Sequence, residues 1–195
     1  MADSLYLSLW FADFGSDNMF VRAAAVMGQF PFSKALPGIT AIALHPVSWN
    51  EPTILEQRYR GGISPADALA VAKDLAHEDH AYVFEANWDL WSPVEKEWIL
   101  RPSPVRIIVR GEEFEESEAK ERGDIEIDFG LDIPFLHEEL ELSSELESRV
   151  RANTQLLVDF INHIEKSAGT SARLLWSESD ENLAQKLISR LQKVQ

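Results

Sequence analysis

Apolar and polar residues alternate with a period of two along several stretches of this chain, and between them the spacing relaxes to that of a helix. Leu5, Leu7, Leu9 and Phe11 share one parity and Tyr6, Ser8 and Trp10 the other, which predicts a strand. Phe14 to Asp17 reads as a turn with an N-cap, opening an alanine-rich helix to about Phe30. Ile39 to His45 is a second strand ended by Pro46, and Thr53 to Tyr59 a third. Ser64-Pro65-Ala66-Asp67 supplies a cap, a proline at the first helical position and an acid, opening a helix to about His77. Ala81 to Phe84 begins a fourth strand. The order β-α-β-β-α-β over residues 1–92 is that of a ferredoxin-like, split βαβ unit.

The pattern changes from Trp88. Trp91-Ser92-Pro93 reads as a break, Glu97 to Leu100 as a short strand, and Val105 to Arg110 and Asp124 to Leu131 as clear ones. Asp124, Glu126, Asp128 and Asp132 alternate with Ile125, Ile127, Phe129, Leu131 and Ile133, the signature of a strand with one buried face. Antiparallel pairing with Arg106 opposite Asp128 would place Arg110 opposite Asp124, giving two cross-strand ion pairs. Ser144 to Glu147 fits a capping box for a helix to about Ser167, with Leu146, Val150, Leu157, Phe160, Ile161 and Ile164 as its stripe and Gly169 as its stop. Ala172 to Trp176 is a last strand and Asp180 to Gln192 a last helix. The fold class expected is α+β: a single domain over 1–195 with a mostly antiparallel sheet. The ferredoxin-like half spans 1–92, and 93–195 adds the hairpin and helices.

Composition narrows the function classes. With 195 residues and no cysteine, the chain can bury a full core but has no disulfide, thiol nucleophile or Cys-ligated metal, which suits a reducing, cytoplasmic setting. The first residues carry no basic leader, and no apolar run is long enough to span a bilayer. The formal net charge of −15 disfavours nucleic acid and anionic membranes as partners. That charge is concentrated: residues 111–147 hold fifteen acids and two bases, leaving the remainder at −2.

Candidate chemistry follows from these patterns. The connection between the two clear strands sets Glu112, Glu113, Glu115, Glu116, Glu118 and Glu121 around Phe114. It reads either as a solvated tip or as a docking surface for a basic protein, with Phe114 as anchor. The preferred function is a non-catalytic acidic binding protein, inhibitor- or immunity-like by analogy of charge alone, with Glu112, Glu113, Phe114, Glu115, Glu116 and Glu118 as its partner-binding residues. The alternative is a small-molecule-binding domain or unrecognised enzyme with a tryptophan-lined pocket of Trp49, Trp88, Trp91 and Trp98, aided by Arg58 and Arg60. Arg58 to Ser64 leads into a helix N-terminus that could also take an anion. Asp124, Glu126, Asp128 and Gly130 resemble a calcium loop only superficially, because Phe129 and Phe135 stand where its glycine and bidentate acid belong. His77-Glu78-Asp79-His80 holds two imidazoles with no third ligand in view, while His45, His137 and His163 stand alone. No nucleophile elbow, zinc-protease or dinucleotide signature occurs. No catalytic residue, metal or cofactor is therefore expected.

Overall fold

The structure is a computed structural model that describes residues 3–95, 97–135 and 144–177. Seven strands form one sheet: β1 (Ser4–Trp10), β2 (Ile39–Pro46), β3 (Leu55–Ile63), β4 (His80–Val94), β5 (Glu97–Arg110), β6 (Ile125–Leu131) and β7 (Ala172–Ser177). Their spatial order is β3-β2-β4-β5-β6-β1-β7, and every pairing is antiparallel. The α+β class and the antiparallel sheet agree with the sequence reading. The ferredoxin-like order does not: β1 pairs with β6 and β7, and the β4–β5 hairpin with β6 separates it from β2 and β3.

Three helices, α1 (Met19–Met27), α2 (Pro65–Lys73) and α4 (Ser144–Ser167), cover one face. Beneath them the strands contribute Leu5, Leu7 and Leu9, Ile42 and Leu44, Phe84 and Trp88, Ile107, and Ile125 and Ile127, all buried. α1 buries Met19, Phe20, Ala23, Val26 and Met27, a spacing that keeps one stripe against the sheet. α2 starts as its sequence dictates: the Ser64 hydroxyl accepts the Asp67 backbone N–H at 3.1 Å. The stripe read on α4 is buried from Val150 to Ile164, and Gly169 follows it at φ +70°. Among the described residues no helix is long and apolar enough to cross a membrane. The helix expected over 180–192, and His137, lie outside the described residues.

The break expected at Trp91-Ser92-Pro93 is absent. β4 and β5 stay paired from Ala81↔Arg110 to Val94↔Glu97, forming a ribbon beyond the main sheet. Among the described residues it pairs with no third strand, and its prolines suit that position. Pro93, Pro102 and Pro104 all fall in the same class of opposed pair, with Trp98, Asp89 and Asn87. Lacking an N–H, each is tolerated where that group would face the outer edge of the ribbon. β2 leaves β4 at Ala86 and β6 leaves β5 at Arg106, so no neighbour needs those donors.

Candidate functional site

Arg106 stands opposite Asp128 and the two form an ion pair at 2.7 Å, as strand parity predicts. The second expected pair does not form. Arg110 turns away from Asp124 and donates to Glu118 at 2.7 Å and Glu126 at 3.1 Å, while Asp124 accepts the Phe11 backbone N–H at 2.8 Å. The reason lies in the connection between β5 and β6, residues 111–124, which folds back across the sheet face that the helices leave open. It contains a 3-10 turn (Phe114–Glu116) and a short helix, α3 (Ala119–Arg122). Glu118, carried by this cover, reaches Arg110 directly, and Trp10 donates its indole N–H to the Ala119 carbonyl at 2.9 Å.

The cover seats in a socket built by the turn after β2. Phe114 is fully buried, its ring edge-on to Trp49 at 4.8 Å between centroids. Trp49 donates its backbone N–H to Glu115 and its indole N–H to Glu118, both at 3.0 Å. The Arg110 guanidinium, 2% exposed, lies 5.9 Å over the same indole. Glu126 beneath it is also buried, and burial pushes its carboxyl above the ordinary glutamate value despite the opposing pull of Arg110 and Arg122. Asp124 is pushed up in the same way by burial, against its bond from Phe11, with Glu112 adding to the rise. At the apex Glu115, Glu116 and Ser117 have φ of 47°, 53° and 72°, a run of left-handed non-glycine residues. Such a run persists only where the surroundings impose it.

The expected partner-binding residues therefore divide in two. Phe114 is inside the molecule and presents no anchor, and Glu115 and Glu118 are bonded to Trp49 and Arg110. Glu112, Glu113 and Glu116 remain exposed, joined by Glu121, and among the described residues none of the four forms an ion pair. Their positions are fixed by backbone bonds: Glu113 N–H to Glu78 carbonyl at 2.9 Å, Glu115 N–H to Val47 carbonyl at 2.9 Å, and Gly111 N–H to His80 carbonyl at 2.8 Å.

The tryptophans expected to line one pocket are not brought together. Trp49 sits in the socket beside the start of β4, at the end where Pro46 pairs with His80. Trp88 is fully buried in the core, stacked on Phe129 and Phe30. Trp91 and Trp98 lie on the ribbon against α4, where Arg149 covers the Trp91 ring at 4.6 Å and donates to the Trp98 carbonyl at 3.0 Å. Asn153 of α4 clamps the same ribbon, meeting both the N–H and the carbonyl of Trp91. Arg58 and Arg60 are exposed on the edge strand β3, with Glu85 at 3.8 Å from Arg58. The adjoining glycine is explained by packing, since a Cβ on Gly62 would fall on the Pro37 carbonyl, and the Ser64 cap is occupied by Asp67.

The acids that resemble a calcium loop lie on strand β6 or at its start, each engaged by protein donors: Asp124 by Phe11, Glu126 by Arg110, Asp128 by Arg106 and the Gly130 N–H. His77 and His80, by contrast, do gain a third group. Asp79, between them in sequence, places its carboxylate among both imidazoles, and the three potential ligand atoms lie within 4.8 Å of one another. The sequence reading missed it because alternation and helix spacing say nothing about a tight turn between α2 and β4. Comparison of the chain with protein-family models, with characterised proteins and with solved structures gives no match in any of the three.

Proposed function

We propose that the protein is a non-catalytic binding protein, inhibitor- or immunity-like, that engages a basic protein partner through the carboxylates of its β5–β6 cover. The observation that supports this reading most is the division of labour within the cover. Glu115 and Glu118 spend their charge internally on Trp49 and Arg110. Glu112, Glu113, Glu116 and Glu121 are left exposed on a segment tied to the rest of the fold by its backbone. A backbone already held in place spares the segment its own ordering cost on binding, and the summed field of its carboxylates speeds encounter with a cationic surface. Recognition on this reading is electrostatic and polar, because Phe114 points inward.

The test is affinity capture from native lysate in low salt, with the wild-type chain beside a variant carrying Glu112→Gln, Glu113→Gln, Glu116→Gln and Glu121→Gln. All four side chains are exposed, so the fold is left intact. A basic protein retained by the wild type, and lost both in the variant and at high salt, is the result expected. Identical retention by both forms, or no protein retained, would overturn the proposal.

A further inference from the structure

We infer that the turn between α2 and β4 is a binding site for a divalent transition metal, zinc foremost, with His77, Asp79 and His80 as ligands. His80 is the best-prepared of the three. Its Nδ1 lies 3.1 Å from the Leu75 carbonyl, which can only accept, so the ring proton sits on Nδ1 and the Nε2 lone pair is free. That is the outer-shell bond metal-ligating histidines use to fix tautomer and ring orientation. The free Nε2 faces Asp79 Oδ1 at 3.5 Å.

Asp79 Oδ1 supplies the second observation. The atom is buried, and among the described residues no donor approaches it with hydrogen-bond alignment. Yet His77 Nδ1 stands only 2.5 Å away. His77 Nδ1 also lies 3.5 Å from the Asp79 backbone N–H, a geometry in which the neutral ring presents its lone pair on that side. Two lone-pair atoms at that separation repel each other unless a cation lies between or beside them. A proton on His77 would serve, and so would a metal ion. A zinc ion, with bonds of about 2.0–2.1 Å to nitrogen and oxygen, needs the pair to open slightly. His77, exposed at the outer edge of the turn, is free to rotate by that amount.

The turn itself is rigid. The carbonyls of Glu78, Asp79 and His80 accept from Glu113, Val47 and Gly111 at 2.9, 2.7 and 2.8 Å. The Tyr82 hydroxyl accepts from the His77 N–H and donates to the Leu75 carbonyl. Gly111 is required for this closure, since a Cβ there would lie 2.1 Å from the Glu78 carbonyl oxygen. Two imidazoles and one carboxylate form a borderline donor set, suited to zinc over calcium or magnesium, and three protein ligands leave a position for water. The neighbouring acidic cover adds a negative field that favours a dication. This site does not depend on the partner-binding reading.

The experiment is calorimetric titration of zinc into the full chain after treatment with a chelator, repeated with cobalt and followed by its visible absorption. The wild type, His77→Ala, His80→Ala and, on α4 outside the cluster, His163→Ala are compared, with far-UV circular dichroism confirming that each is folded. Expected are one equivalent of zinc per wild-type chain, cobalt absorption indicating nitrogen ligation, affinity lower by about tenfold or more in both turn variants, and no change in His163→Ala. His77→Ala is decisive should His80→Ala fail to fold, because His77 is exposed. Absence of saturable uptake up to about 1 mM zinc, or uptake unchanged in His77→Ala, would overturn the assignment and leave a simple His77–Asp79 ion pair.

Discussion

Arg110 is the residue on which the two sides of the cover meet. Its guanidinium is buried between Glu118 of the cover and Glu126 of the sheet. Arg110→Met leaves Glu126 buried without its hydrogen-bonded partner, with Arg122 at 3.9 Å the cation that remains beside it, so a loss of about 3–5 kcal/mol is expected in urea unfolding. Pairing it with Glu126→Leu should recover much of that loss, because it removes the stranded charge. Strand parity made the Arg106–Asp128 pair legible, since both residues lie on regular strands in register. The partner of Arg110 was not legible: Glu118 sits in an irregular segment, and no spacing rule brings it back over the sheet.

His45 gives a prediction in pH. Burial lowers the tendency of its ring to take a proton, with Glu56 pulling weakly the other way. Its ring packs edge-on against Trp49, and its Nδ1 is buried with no hydrogen-bond partner among the described residues. As pH falls through the ordinary histidine value of 6.5, the unfolded chain is protonated first and the folded state loses stability. Urea midpoints should therefore fall between pH 7 and 5.5 by more in the wild type than in His45→Phe. Equal slopes in the two proteins would show that His45 is not the titrating group.

Among elements, the cover and the ribbon are where sequence and structure diverge. The alternating strands and the stripe of α4 were readable because one periodicity ran through each without interruption. Pro93 was misread as a break because its tolerance depends on β4 having lost its outer neighbour, which is a tertiary fact. The cover reads in sequence as a solvated tip or as a docking surface with Phe114 outward, because six glutamates outweigh one phenylalanine in any count of composition. Phe114 nevertheless decides the matter by filling the socket formed with Trp49. Phe114→Ala should cost about 3–5 kcal/mol in global stability if the cover unfolds with the sheet. Near-ultraviolet circular dichroism and tryptophan emission, compared in the wild-type and Trp49→Phe backgrounds because the chain has six tryptophans, should then report a wetter Trp49 indole, and a Trp49 contribution unchanged by Phe114→Ala would place the ring elsewhere.

At the scale of the molecule, the sheet is a layer with helices on one side and a partial, acidic cover on the other. Strand order was beyond reach of the sequence, because β1 enters between β6 and β7 across more than a hundred residues of chain. Both proposals depend on the cover being folded. It fixes the backbone that carries the exposed glutamates, and through Glu113 and Gly111 it clamps the turn carrying His77, Asp79 and His80. Hydrogen exchange of peptides spanning residues 111–124, followed by mass spectrometry on the free protein, tests this most directly. Protection of this segment approaching that of β5 and β6 is the result predicted; complete exchange within seconds, as in an unstructured loop, would contradict it.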